Sequence, residues 1–147
     1  MNKLFGTDGI RGTFGKYPLT DEMILKIGKA VALLLSIKKR KSCSGHKIII
    51  GKDTRQSADK LENFLSDGIS SYGADVILAG TISTSGLAFL TKHFNAEMGI
   101  MISASHNKAE DNGIKFFSDT GYKLSATVET EIEKLIFNGV TDYARMH

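Results

Sequence analysis

One cysteine, Cys43, stands in 147 residues. A lone cysteine closes no internal disulfide, and no cysteine cluster with metal-ligand spacing exists. A reducing compartment, the cytosol, is therefore expected. Long hydrophobic runs are missing as well. The longest apolar stretch, Ile27 to Ile37, contains Lys29 and is too short to span a bilayer. The opening Met1-Asn2-Lys3-Leu4-Phe5 lacks the apolar segment of a secretory signal, so no membrane association is expected. Nor does one charge dominate: 19 basic against 16 acidic residues leave a net charge of +3. That balance suits an anionic ligand without being a nucleic-acid footprint. The only dense basic run, Lys38-Lys39-Arg40-Lys41, ends an apolar-periodic segment, where cations complement a helix C-terminus. It reads as a solvated helix end, and no nucleic-acid partner is expected. The Gly-x-x-x-x-Gly-Lys-Ser/Thr loop of ATP binders is absent, and no Ser-His-acid triad can be named from residue order.

What is present is ordinary globular material, 41% hydrophobic and 24% charged, enough for one domain over residues 1–147 with a proper core. A short opening segment leads into a Gly-rich stretch ending at Gly15. Thr20 caps a first helix, with Met23, Ile24, Ile27, Val31, Leu34 and Leu35 on one stripe. Lys47–Gly51 reads as a buried strand. Ser57 caps a second helix whose core face is Leu61, Phe64, Leu65, Ile69 and Tyr72, and Gly73 ends it. A strand over Asp75–Ala79 precedes a helix over Ser83–Phe94 that buries Leu87, Leu90 and Phe94. Met98–Ile102 is a third strand. Ile114 and Phe116 belong to a fourth, closed by a turn at Asp119-Thr120-Gly121. The last helix, Ser125–Phe137, turns Val128, Ile132, Leu135 and Ile136 inward and stops at Gly139. The alternation predicts a three-layer α/β/α domain whose mixed, mostly parallel four-stranded sheet is flanked by helices.

Four polar loops punctuate these elements. Phe5–Gly12, FGTDGIRG, offers glycines for close backbone approach and Arg11 for a fork onto phosphate oxygens; a surface turn with an exposed arginine is the other reading. Gly51–Ser57, GKDTRQS, follows a strand and precedes a helix. Its amides and cations can cradle an anion, or Asp53 and Arg55 can pair only to pin the loop. The hydroxyls of Thr81–Gly86 read as caps. The richest run is Ser103-Ala104-Ser105-His106-Asn107, followed by Glu110-Asp111-Asn112-Gly113-Ile114-Lys115-Phe116-Phe117. It sets a hydroxyl, an imidazole, two amides and a lysine just after an apolar strand, where open α/β sheets present their chemistry. A phosphorylated serine there would carry about −1.5 to −2 charges and need cations or Mg²⁺ around it. His106 and Lys115 are the nearest candidates, Lys115 also as a proton carrier if burial or charge lowers its pKa. The alternative is a polar turn in which Ser105 and His106 satisfy backbone groups and Lys115 is solvated.

Taken in order, FGTDGIRG, GKDTR, SASHN and EDNGIKFF resemble the first domain of the α-D-phosphohexomutase family over nearly the whole chain. The resemblance implies that Ser105, not Ser103, is the phosphoserine, that its phosphate contacts Mg²⁺, and that Arg11, His106 and Lys115 fall on active-site positions. Arg11 would hold phosphoryl oxygens, and Lys115 would serve proton transfer or charge balance. The implied partners are a phosphosugar, with the first motif favouring glucosamine phosphate over its sister hexose phosphates, and a sugar bisphosphate. Lys108 stands where the family has proline, and Ser83-Thr84-Ser85 replaces a Pro-Thr-Pro. Later domains II–IV of the family, with its metal, sugar and distal phosphate loops, lie outside this chain, so the isolated chain is expected to be inactive. A non-catalytic phosphosugar-binding or interaction module is the contrasting class.

Overall fold

The computed structural model describes residues 3–39, 45–104, 108 and 110–139. Nine elements run in the order β1 (Ile10–Thr13), α1 (Asp21–Lys39), β2 (Lys47–Lys52), α2 (Ala58–Ser70), β3 (Asp75–Thr81), α3 (Thr84–His93), β4 (Met98–Ile102), β5 (Asp111–Ser118) and α4 (Ala126–Asn138). One sheet holds all five strands in the order β1-β5-β4-β2-β3. β2 pairs in parallel with both β3 and β4, while β5 runs antiparallel to β4 and to β1. Four strands therefore point one way and β5 alone opposes them.

The four-strand reading needs one correction: there are five strands. The additional one, β1, lies inside the Gly-rich stretch that reads from sequence as a loop. Its glycines hide the period-two pattern, but Ile10 is fully buried and aligns with Ile114. As an edge strand of four residues, β1 has little sequence in which to declare itself.

Two cores lie on opposite sides of the sheet. Ile48, Ile50, Ile100, Ile102, Ile114 and Phe116 face the residues of α1, α2 and α4, including Ile27, Val31, Leu61, Leu65 and Ile132. Ile49 and Met101 face the other way, onto Leu87 of α3. A β2 buried on both faces explains its uninterrupted Ile48-Ile49-Ile50. α1 meets α2 closely, since a Cβ on Gly68 would stand 2.4 Å from the Leu25 carbonyl oxygen.

α3 departs from expectation at its end. Leu87 is fully buried, but Phe94 is 46% exposed. The helix ends at His93, so Phe94 is its C-cap and rests edge-on against the His93 ring at 5.2 Å. One described helix covers this face of the sheet, and its flank has nothing to bury against. Ser57 also differs. It occupies the N-cap position of α2 without a side-chain cap bond, because its backbone is already helical (φ −80°, ψ −8°) rather than extended as a cap requires, and its hydroxyl instead accepts from Asn112 Nδ2 at 2.7 Å. Ser83 and Ser125 do cap α3 and α4, accepting from the Gly86 and Val128 amides.

The strand ends away from the polar loops are tied by Glu97. Its carboxylate accepts the Lys47 amide at 2.6 Å and lies 3.3 Å from Nδ1 of the buried His46. Burial pushes the Glu97 carboxyl up, but the Lys47 amide, His46 and its own amide outweigh this and hold it below its ordinary 4.5. A carboxyl depressed by folding stabilises the fold above the unfolded value and loses that contribution as pH falls through the folded one. The stability gap between wild type and Glu97→Gln, measured by urea unfolding, is therefore expected to be widest near neutrality and to close as the pH is lowered below about 4.5. A gap that is constant with pH would contradict it.

Candidate functional site

The C-terminal ends of β2, β3 and β4, the start of β5 and the end of β1 share one rim of the sheet. Backbone bonds stitch the loops there. The Asp53 amide donates to Ile102, the Ile82 amide to Lys52 and the Ser103 amide to Gly113. Ser103 is buried and continues the β4–β5 pairing. Ser105 and His106, the candidate nucleophile and its neighbour, lie outside the described residues.

Strand alternation assigns the remaining candidates. Arg11 of β1 pairs with Gly113 of β5, and Lys115 of β5 pairs with Met101 of β4. Gly9, one step before β1, lies against Lys115: a Cβ on it would stand 3.1 Å from the Lys115 Cα and 2.2 Å from the Ile114 carbonyl oxygen. A Cβ on Gly113 would meet the Ser103 carbonyl oxygen at 2.6 Å and the Arg11 Cγ at 3.5 Å. Each cation thus faces a residue without a side chain, which leaves room for two long basic side chains on one face of adjacent strands. Arg11 and Lys115 are diagonal neighbours, about 7–8 Å apart along the backbone, and both are half-buried.

Arg11 is steadied by Asp8, 3.6 Å from its terminal nitrogen. Its Nε is buried with no hydrogen-bond partner among the described residues. A buried donor without an acceptor costs stability, and the described chain supplies no acceptor for this one. Asp8 sits in the tight turn closed by the Gly6 amide and the Gly9 carbonyl at 2.8 Å, and Lys123 Nζ donates to the Thr7 carbonyl of the same turn. Upstream, one oxygen of the buried Glu133 carboxylate accepts both the Leu4 and Phe5 amides at 2.8 Å. A cleft of about 220 Å³ opens beside the turn, lined by Asp8, Gly9, Thr84, Lys115, Lys123 and Glu129 among others. Burial raises the Glu129 carboxyl above its ordinary value, Lys123 and Lys3 pull against that, and Glu133 adds to it.

The Gly51–Ser57 loop resolves toward pinning. Arg55 Nε donates to Asp53 Oδ2 at 3.0 Å, and the Arg55 amide donates to Oδ1 at 3.1 Å. Lys52 bridges Asp59 at 2.6 Å and the buried Glu62 at 3.1 Å. Its pKa is raised, first by the Asp59 hydrogen bond and then by Glu62. Both cations of the loop thus already face carboxylates. For the same reason the rim's carboxylates do not make a divalent-metal site of their own. Asp8, Asp53 and Asp59 each face a cation, and no group of three or more His, Cys, Asp or Glu among the described residues could hold an ion.

Sequence reasoning missed Glu133, Lys123 and the Ser57–Asn112 bond. Glu133 did leave a trace, lying between the inward-facing Ile132 and Ile136 on α4. Lys123 left none, because its importance lies in one carbonyl more than a hundred positions away.

Fold and rim together define an α/β/α domain with a cationic pair at the C-terminal edge of a mixed sheet. Residues 2–142 match the family described as phosphoglucomutase/phosphomannomutase, alpha/beta/alpha domain I, and the chain belongs to that family. It is 51% identical over 143 residues to a phosphoglucosamine mutase of Syntrophotalea carbinolica, covering 97% of this chain and 31% of that protein. Against the phosphoglucosamine mutase of Ruegeria pomeroyi the figures are 49%, 95% and 31%. A crystal structure of a Thermus thermophilus protein assigned as a phosphomannomutase superposes with a TM-score of 0.77 at 30% identity, over 90% of this chain and 29% of that one. The chain thus spans about a third of the length of the curated relatives it matches.

The tight β1 edge can be tested through two glycines with nearly the same backbone. Gly9 and Gly15 have φ of +84° and +85°, yet a Cβ at Gly15 meets nothing within 4 Å. Gly15→Ala is expected to cost only the left-handed backbone penalty, about 1–2 kcal/mol. Gly9→Ala adds a backbone clash and is expected to cost at least ~2 kcal/mol more. Equal losses in denaturant melts would show that the close approach of Gly9 to β5 is unimportant.

Proposed function

We propose that this chain is the phosphoserine-bearing domain of a phosphoglucosamine mutase, which interconverts glucosamine 6-phosphate and glucosamine 1-phosphate through a bisphosphate. The observation that carries the reading is the near 50% identity, over almost the full chain, to proteins named phosphoglucosamine mutase. The placement of Arg11 and Lys115 as diagonal neighbours on one sheet face supports it, as does the unanswered Arg11 Nε.

In this reading Ser105 carries phosphate. The bond from its oxygen to phosphorus breaks as a bond from a sugar hydroxyl to that phosphorus forms, and the hydroxyl proton passes by way of a nearby base to the departing Ser105 oxygen. The bisphosphate reorients, and its original phosphoryl group returns to Ser105, leaving the isomer. Arg11 forks onto phosphoryl oxygens, and Lys115 balances charge or carries the proton. His106 adds a donor beside the serine. Phosphoryl transfer asks for alignment and charge neutralisation more than for covalent help, and two basic side chains cleared by glycines supply both. Mg²⁺ would contribute further neutralisation at the phosphate on Ser105. The described carboxylates do not form its site, so its remaining protein ligands belong to chain outside these residues. Sugar selection belongs there too.

The reading is checked by intact-mass measurement after incubation with glucose or glucosamine bisphosphate. One added phosphate is expected in wild type and in Ser103→Ala, and none in Ser105→Ala. The isolated chain, given glucosamine 6-phosphate, Mg²⁺ and a bisphosphate activator, is expected to show no full turnover. Absence of phosphate on a folded wild-type chain would favour a non-catalytic module, and full turnover by the chain alone would refute the shared-cleft reading.

A further inference from the structure

The Asp53–Arg55 pair has no role in the chemistry above, yet it reaches the segment that follows the candidate nucleophile. Asp53 holds Arg55 from two sides, through the Arg55 amide and through Nε. The guanidinium is nearly buried, with 11% of its side chain exposed. So fixed, it donates from Nη1 to the carbonyl oxygen of Lys108. The same carbonyl accepts the Asp111 amide at 3.0 Å, which closes the turn into β5. Asp53 is itself anchored, since its amide donates to Ile102 at the end of β4. One short span of the β2–α2 loop therefore grips both ends of the β4–β5 connection, the departing end through the Asp53 amide and the returning end through Arg55. Close by, Asn112 Nδ2 bonds the Ser57 hydroxyl at 2.7 Å and ties the start of β5 to the same loop.

We propose that Arg55, locked by Asp53, is a positioning residue that fixes Lys108 and the turn into β5 through the Lys108 carbonyl. Its consequence for phosphoryl transfer from Ser105 rests on the function proposed above. Three features favour this role over that of a substrate contact. The guanidinium is occupied by a carboxylate and a carbonyl rather than facing an open cleft. Its acceptor is backbone, so the contact survives whichever side chain stands at 108, lysine included. And a planar fork held on one side can present its other nitrogens in a fixed direction, which an ammonium on a flexible stem cannot.

The test uses the full-length enzyme that contains this chain, with variants Arg55→Ala, Arg55→Lys and Asp53→Asn. Amide hydrogen exchange reads positioning directly. In Arg55→Ala the Asp111 amide, which shares the Lys108 carbonyl, is expected to exchange at least about tenfold faster, the effect of losing one charge-assisted bond to that turn. Lysine keeps the charge but loses the fork, so Arg55→Lys is expected to restore little of the protection. Asp53→Asn, which leaves the arginine but weakens its lock, should fall between. Steady-state kinetics read the consequence: kcat drops by about ten- to a hundredfold, the scale of a small misplacement of a reacting group, while KM for the sugar phosphate changes less than about threefold. Unchanged Asp111 exchange would overturn the proposal. So would a raised KM with kcat intact, which makes Arg55 a substrate contact, or full recovery in Arg55→Lys, which makes it only a charge. Should Arg55→Ala fail to fold, Arg55→Lys and Asp53→Asn carry the same readouts. A wild-type enzyme without mutase turnover would instead end the functional reading, and the exchange measurements would still decide the clamp.

Discussion

The antiparallel seam between β1 and β5 is the constraint on which the site depends. Without it, Phe5–Gly12 is a polar turn with an arginine in it. With it, Ile10 plugs the core opposite Ile114, and Arg11 is fixed by strand alternation on the face that carries Lys115. A seam this short is weak by itself, because four residues offer few ladder bonds. It is held from behind, where the buried Glu133 takes two amides of the opening segment on one oxygen and Phe5 packs on Phe116 with ring centroids 5.3 Å apart. A buried carboxylate that accepts two amides has its charge answered, so its desolvation is offset by charge-assisted bonds. The core-facing helix α4 thereby controls where a site residue on the opposite sheet face lies.

Charge is distributed at the rim according to this geometry. The two cations on the β1–β5 face, Arg11 and Lys115, stand against glycines, and Arg11 keeps a donor unanswered. The cations of the β2–α2 loop, Lys52 and Arg55, are met by carboxylates at hydrogen-bond distance. Four basic residues near one edge therefore divide into a pair cleared by glycines, one of them with an open donor, and a pair spent on holding the loop. Cations already met by carboxylates gain little from a further anion, whereas a half-buried guanidinium with an open Nε gains a charge-assisted bond. This difference, rather than net charge, distinguishes the β1–β5 side of the rim from the β2–α2 side.

Much of this is legible without the structure. The helices and the central strands declare themselves through apolar period and caps, and the chemistry-bearing loops do fall at strand ends. The rest is hidden for specific reasons. β1 is masked because Gly9, which permits its close pairing with β5, and Gly12, which makes room for Pro18, erase the alternation that marks a strand. Ser57 reads as a cap because serine before a helix usually is one, but its backbone is already helical and its hydroxyl serves Asn112, fifty-five residues on. Phe94 looks like a core residue because its spacing from Leu87 and Leu90 is helical, but the helix stops one residue earlier. For Gly51–Ser57, sequence cannot choose between anion cradle and internal pin, since both use the same residues. The choice lies in two carboxylates of α2 and a carbonyl at 108.

The same distances show how the domain orders its own rim. Here the described ends of the β4–β5 connection are tied from within the domain, by Ile102 and Lys108 carbonyls that accept from the Asp53–Arg55 segment and by Asn112 on Ser57. These bonds join elements already ordered by the buried sheet, so closing them immobilises little additional chain. Preorganisation of this kind places the entropy of ordering in the folding of the domain rather than in the binding of a ligand.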